Sequence, residues 1–258
     1  MLLAVDIGNS NITLGVYRED ELLFVSRLAT DHSKTEDQYA IELRDILSLY
    51  GVTPRDFDGA IISSVVPNLT SAVKNAVRRL SGVDSMVLGP GLKTGLNIKI
   101  DNPAQLGADL AAGAVAALER YPMPCIVFDL GTANTISVLD KSGAFLGGVI
   151  CPGVGISADA LAQKTAQLQH ISIEAPESVI GQNTIDCMQS GLVFGAAATL
   201  DGLTDRILAE MGTEQATLVA TGGIAKLIVP HCRHKILCSD NLLLEGLKII
   251  YRKNRKEK

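Results

Sequence analysis

The sequence predicts an α/β protein built as two copies of one domain, and three observations carry that expectation. The stretch Val5-Asp6-Ile7-Gly8-Asn9-Ser10-Asn11 returns in altered form as Phe128-Asp129-Leu130-Gly131-Thr132-Ala133-Asn134, so the frame Asp-x-Gly-x-x-Asn occurs near the start and near the midpoint. Each copy follows a short apolar run, Leu2 to Val5 or Cys125 to Phe128, and precedes an alternating one, which reads as strand, tight turn, strand. The elements after the second copy then repeat the opening of the first. A split at 1–118 and 119–258 follows.

In the first half, Asn11 to Arg18 and Glu21 to Ala29 alternate on either side of the polar Glu19-Asp20, which predicts an antiparallel meander. Thr35 and Gln38 form a capping box for a helix in which Tyr39, Leu43, Ile46, Leu47 and Tyr50 recur at helical spacing until Gly51. A strand over Gly59 to Val66 precedes a helix opened by Pro67 and stopped at Gly82, and a short strand lies around Met86 to Leu88. The order is β-β-β-α-β-α-β. Gly89 to Pro103, rich in Gly, Pro and Asn, reads as a loop, and Ala104 to Arg120 as an Ala-rich helix.

In the second half, strands are expected at Cys125 to Asp129, Asn134 to Asp140, Ala144 to Ile150 and Ala216 to Thr221. Pro152 to Gly155 reads as a turn into a helix from Ser157, Thr184 to Met211 as a long helix, and a last helix begins near Asn241. On the long helix, Leu192, Val193 and Ala196 to Ala198 suit either a core or a subunit interface.

Composition excludes several classes. No run approaches the eighteen or so apolar residues of a membrane helix, and the chain enters a strand without a basic region and cleavage site, so a cytoplasmic location without a membrane partner is expected. A net charge of -5 argues against nucleic acid as a partner, and the basic Arg252-Lys253-Asn254-Arg255-Lys256 reads as a solvated helix end. Five Cys without a Cys-x-x-Cys pair read as reduced thiols. His231, Cys232, His234 and Cys238 include soft zinc ligands, but their spacing matches no standard zinc pattern, so loop residues and a buried Cys are expected there.

The two Asp turns carry the chemistry. A carboxylate at a strand end beside a Gly turn sits where backbone N–H groups can approach an anion, and two such turns suggest one nucleotide gripped between two halves. Phosphoryl transfer needs a phosphate cradle, a neutralising metal and a group that orients the attacking hydroxyl. Asp6 and Asp129 are candidates to hold Mg²⁺ or another cation, directly or through water, while Asn9, Asn11, Thr132 and Asn134 offer donors to phosphate oxygens. Turn capping by either Asp is the competing reading, although capping would not demand Gly two residues later in both halves. Thr221-Gly222-Gly223-Ile224-Ala225 joins a strand to a helix through bare backbone, which suits the ribose and adenine side of ATP or, alternatively, close helix packing. Asp109, inside Leu106-Gly107-Ala108-Asp109-Leu110-Ala111-Ala112, is the candidate general base; the alternative is an acid on the solvated face of an amphipathic helix.

These residues, together with Asp101-Asn102-Pro103, Gly147-Gly148, Pro152-Gly153, Ile180-Gly181-Gln182-Asn183-Thr184 and Met188-Gln189-Ser190-Gly191, resemble the type III pantothenate kinases over nearly the whole length. That family belongs to the acetate and sugar kinase, Hsp70 and actin superfamily. The resemblance implies duplicated ribonuclease H-like (actin-like ATPase) domains, each a mixed five-stranded sheet with helices, and a nucleotide cleft between them. It implies phosphorylation of pantothenate by ATP, the first step of coenzyme A synthesis. Asp6, Gly8, Asn9, Ser10 and Asn11 would contact ATP phosphates and Mg²⁺. Thr132 would touch ATP, Asp129 would hold a monovalent cation such as K⁺ or NH₄⁺, and Asp109 would accept the proton. Gly107, Ala108, Asp109, Leu110, Ile100 and Thr184 would line the pantothenate site of a homodimer.

The chain departs from the family pattern at three places. Leu110 stands where Arg is usual, Ile100 where Tyr is usual before Asp101-Asn102-Pro103, and Asn134 where Thr is usual. The first two replace polar acceptor contacts with aliphatic ones, and losing a charge-assisted contact costs about 1.5 to 3 kcal/mol. They motivate two further readings: a nucleotide-binding paralogue with weak or no activity and a regulatory role, or a kinase for another acceptor.

Overall fold

Two five-stranded sheets are laid out on one plan in the computed structural model, which describes residues 1–255. The first contains β1 (Leu2–Ile7), β2 (Asn11–Arg18), β3 (Glu21–Ala29), β4 (Gly59–Ser64) and β5 (Ser85–Val87) in the order β3-β2-β1-β4-β5. The second contains β6 (Cys125–Leu130), β7 (Ala133–Leu139), β8 (Phe145–Pro152), β9 (Thr217–Thr221) and β10 (Leu237–Cys238) in the order β10-β9-β6-β7-β8. In both, the first three strands pair antiparallel and the last two are parallel additions on the other side of the leading strand. The expected duplication is present strand for strand.

Alternation along β1 and β4 explains how the first unit builds two cores. Leu3, Val5, Ile7, Ala60 and Ile62 face one way and pack with Tyr39, Leu43 and Leu47 of α1 (Glu36–Leu49) and Leu69, Val73 and Val77 of α2 (Pro67–Ser81). Leu2, Ala4 and Ile61 face the other way, against Ala112 and Val115 of α3 (Ala108–Arg120) and Leu244, Leu247 and Ile250 of α7 (Leu242–Asn254). Burying each large aliphatic side chain contributes about 1.5 to 3 kcal/mol. The helix ends follow the sequence signals: Thr35 and Gln38 make the capping box of α1, and Gly82 closes α2 in the left-handed conformation.

In the second unit, Ile126, Phe128, Leu130, Leu218 and Ala220 pack with Val154 and Ala158 of α4 (Val154–Lys164), with α5 (Thr184–Glu210), and with Ala225 and Ile228 of α6 (Ala225–Ile228). From α5 come Leu192, Val193, Ala197 and Leu200, which settles Leu192 and Val193 as core.

The structure differs from the sequence expectations in several places. Pro103–Gln105 is a separate 3₁₀ turn capped by Asn102, and α3 starts only at Ala108, so the helix expected over Ala104 to Arg120 is shorter and Asp109 lies in its first turn rather than inside it. Helix α4 starts at Val154 instead of Ser157. The compact units are not the contiguous stretches 1–118 and 119–258. The first comprises Met1–Leu96, Asn102–Ala116 and the described chain from Leu242 on; the second comprises Asn97–Asp101 and Ala117–Asn241. Residues 97–101 join the second unit because Phe145 N–H donates to Asn97 O and Lys99 N–H to Phe145 O, both at 2.8 Å, while Lys99 Nζ pairs with Asp140 at 2.9 Å. In the basic C-terminal stretch, Arg252 and Lys253 close α7; Lys256 lies outside the described residues.

Candidate active site

The first Asp turn is built by β1 and β2. Asp6 pairs in register with Thr13 and Ile7 with Ile12, and Gly8 N–H donates to Asn11 O at 3.0 Å across the turn. A side chain on Gly8 would bring its Cβ to 3.0 Å from that same carbonyl, so the tight closure needs Gly. Thr30, just beyond β3, braces the turn: its hydroxyl donates to Gly8 O at 2.6 Å and its N–H to Ser10 O at 3.0 Å. Asn9, Ser10 and Asn11 are left exposed, with Asp6 half-buried at their base.

The second turn shares the sequence frame but is one residue shorter between paired strands. Asp129 pairs with Thr135 and Leu130 with Asn134, so Asn134 enters the ladder where Asn11 stays at the turn. The consequence is opposite burial: Asn11 is exposed, whereas Asn134 is 6% exposed and its Oδ1 has no hydrogen-bond partner. Gly131 and Thr132 are exposed at the tip. Gly153, at the head of α4, donates its N–H to Thr132 O at 3.2 Å, and a Cβ there would collide with the carbonyls of Gly131 and Thr132. Gly222, with φ 97°, would likewise collide with Leu130, while nothing lies within 4 Å of a Cβ built on Gly223. The approach to Leu130 therefore requires Gly at 222, and Gly223 leaves exposed bare backbone.

Asp109 sits at the head of α3, on the helix that covers the Asp6 face of the first sheet. Its Oδ1 accepts the Leu110 N–H at 2.8 Å. Burial raises its pKa, and the backbone N–H groups of Leu110 and of Asp109 itself oppose that shift only in part. A carboxylate with raised pKa, held by its own helix start, is suited to accept a proton. Gly107 and Ala108 precede it in the same turn region, and Leu110 beside it is half-buried.

Ile100, on the stretch that runs beside β8, has its Cγ2 3.9 Å from where a Cβ of Gly147 would stand. Thr184 is the exposed first residue of α5, whose N-cap Asn183 accepts the Asp186 N–H. It makes no hydrogen bond to another candidate residue among the described residues. The structure thus groups Asp6 to Asn11 in one turn, and Asp129, Thr132 and Gly222 around the other.

One residue that periodicity does not mark stands beside Asp6. Ser63 on β4 pairs in parallel register with Asp6, is fully buried, and its Oγ has no hydrogen-bond partner. An unsatisfied buried hydroxyl costs about 1 to 3 kcal/mol. The signal available in the sequence was the polar pair Ser63-Ser64 ending an apolar run, Ala60 to Ile62. The oxygen-rich set of Asp6, Thr13 and Ser63 fits a hard cation such as Mg²⁺, and the half-buried Asp129 fits a cation in the second turn.

The His/Cys cluster has another explanation. Asp201, 3% exposed, accepts the backbone N–H groups of Arg233 at 2.8 Å and His234 at 3.1 Å, and His234 Nε2 pairs with Asp205 at 2.7 Å. Cys232 is turned toward Ala197 O and burial pushes its pKa up to about 11, while Cys238 is exposed on β10. Among the described residues no group of three or more His, Cys, Asp or Glu is placed to hold a metal, and no helix is long and apolar enough to cross a membrane.

Comparison with known proteins places the chain in a family. A protein from Campylobacter jejuni described as a candidate Baf family transcriptional activator shares the fold at TM-score 0.63 and 21% identity, with 98% of each chain covered. A candidate 2-dehydro-3-deoxygalactonokinase from Sinorhizobium meliloti does so at TM-score 0.59 and 16% identity, with 100% of this chain and 99% of that one covered. These likenesses bear out the duplicated ribonuclease H-like fold. A type III pantothenate kinase of Halalkalibacterium halodurans is 43% identical over 254 residues, 98% of this chain and 100% of that one. The family model for type III pantothenate kinase matches residues 2–206. The chain belongs to the type III pantothenate kinase family.

Proposed function

We propose that the protein phosphorylates pantothenate with ATP to give 4'-phosphopantothenate, the opening reaction of coenzyme A synthesis, in the cytoplasm. The single observation that supports the mechanism best is Asp109: a carboxylate of raised pKa, fixed at a helix start, in a chain 43% identical to a type III pantothenate kinase. The 4'-hydroxyl oxygen of pantothenate forms the new bond to the γ-phosphorus, the bond from that phosphorus to the β-γ bridging oxygen breaks, and ADP leaves. Asp109 orients the hydroxyl and takes its proton.

Asp6 anchors Mg²⁺, and Gly8, Asn9, Ser10 and Asn11 offer the exposed backbone and side-chain donors of the first turn to the phosphates. Asp129 holds a monovalent cation, K⁺ or NH₄⁺; Thr132, Gly222 and Gly223 meet the nucleotide. The cations neutralise charge on the phosphates, and the remaining acceleration comes from positioning. Gly107, Ala108, Leu110, Ile100 and Thr184 meet pantothenate. The family relationship supports pantothenate over the two other readings, an inactive paralogue and a kinase for another acceptor. The functional form is a homodimer, a reading supported by exposed apolar side chains on the second unit such as Ile150 (75% exposed), Val179 (67%) and Ile180 (84%).

The test is ADP release from ATP, Mg²⁺ and K⁺. Release should rise with pantothenate and disappear in Asp109→Asn. Nucleotide binding without turnover at any pantothenate concentration would refute the proposal.

A further inference from the structure

We infer that Ser63 is a positioning residue of the metal–nucleotide site, its hydroxyl completing the shell of the hydrated Mg²⁺ held at Asp6. The inference rests on the assignment of Mg²⁺ and ATP to the first turn. Parallel register places Ser63 directly beside Asp6, so both side chains leave the sheet on the same face. Thr13 stands on the other side of Asp6 in the antiparallel register. A carboxylate is thereby flanked by a hydroxyl on each neighbouring strand.

The second sheet repeats this row. Asp129 pairs with Thr135 on β7 and with Thr221 on β9, so hydroxyl, carboxylate and hydroxyl again lie side by side across three strands. The two halves differ in turn length and in nearly all other residues of these strands, yet both keep this row. Packing alone gives no reason for a hydroxyl at Ser63: it is 0% exposed, and apart from Asp6 the same face of β1 and β4 is Leu2, Ala4, Gly59 and Ile61. Ser85 is also buried without a partner, but it pairs with Ala60 and has no carboxylate in register. The orphaned atom at Ser63 is distinguished by its place next to Asp6. A buried hydroxyl beside a metal-binding carboxylate finds its partner when the ion and its waters arrive.

The experiment compares wild type, Ser63→Ala and Ser63→Thr by two readouts that need no pantothenate. The first is thermal melting of the ligand-free protein. The second is equilibrium binding of a non-hydrolysable ATP analogue across an Mg²⁺ titration. Removing an unsatisfied hydroxyl should leave the ligand-free melting temperature unchanged or higher. Ser63→Ala should raise the half-saturating Mg²⁺ concentration roughly tenfold or more, the scale of a hydrogen bond to a charged group. Ser63→Thr, which installs the residue type found at position 221, should restore it. A lower ligand-free melting temperature with an unchanged Mg²⁺ requirement would overturn the inference. Wild-type phosphorylation of pantothenate alongside that result would leave the proposed function standing; an Mg²⁺ defect in Ser63→Ala without any pantothenate turnover by wild type would do the reverse.

Discussion

A Cβ added to Gly107 would stand 2.5 Å from Oδ1 of Asp109, the oxygen that also accepts the Leu110 N–H. The residue two positions ahead of the carboxylate therefore decides whether that carboxylate can fold back over its helix start. Gly107→Ala should turn the Asp109 side chain away without unfolding α3, because only the end of a side chain must move. Misplacing a reacting group by about 1 Å costs on the order of a hundredfold in rate. The expected outcome is that loss in kcat, with the KM for ATP little changed, read by steady-state kinetics beside a melting curve that stays close to wild type.

Asp109 carries a linked pair of expectations. Its pKa is raised, chiefly by burial, so the folded state holds this proton more tightly than the unfolded state. The stabilising contribution is then fully present below the unfolded pKa and is lost as pH rises through the folded one. At neutral pH the buried charge is a net cost, and Asp109→Asn should melt higher than wild type while losing activity. That advantage should shrink as pH falls through the folded pKa, and the acid limb of wild-type kcat/KM should lie above the ordinary Asp range. Melting curves of both proteins across pH, with the rate profile, check the sign.

In the proposed acceptor site, Leu110 and Ile100 stand where the resemblance to the family leads to the expectation of Arg and Tyr. Restoring a charge-assisted contact is worth about 1.5 to 3 kcal/mol, one to two decades in affinity. Leu110→Arg combined with Ile100→Tyr should therefore lower the KM for pantothenate by roughly tenfold or more and leave the KM for ATP near its starting value. Initial rates against each substrate separate the two.

Local chemistry made most of this fold legible. Alternation set β2 and β3 at their observed limits, Thr35 and Gln38 announced α1, and the repeated Asp-x-Gly frame announced the duplication. What escaped the sequence depends on partners distant in the chain. Nothing local says that α7 covers the first sheet or that residues 97–101 lie along β8, since both follow from which apolar surface is left to cover and which strand edge is free. Ala-rich composition hid the true start of α3, because Ala104 and Gln105 are good helix formers overruled by the turn that Asn102 and Pro103 impose. The polar pair Ser63-Ser64 is visible in the sequence, but the register that sets Ser63 beside Asp6, 57 positions earlier in the chain, is not.

The return of α7 to the first unit depends on one close approach. A Cβ on Gly246 would collide with the carbonyl of Ala112 in α3, a backbone atom that cannot swing aside, so the two helices pack there only because position 246 has no side chain. Gly246→Ala should force α7 off the surface formed by Leu2, Ala4 and Ile61 and destabilise the protein by about 1 to 3 kcal/mol or more, as overpacking does. Gly202 in α5 is the control, since nothing lies within 4 Å of a Cβ built there and its φ is not positive. Ala has the higher helix propensity, so Gly202→Ala should stabilise by about 0.5 to 1 kcal/mol. Denaturant melts of the two variants should therefore move in opposite directions. An equal response would show that helix propensity, rather than the contact with Ala112, governs position 246.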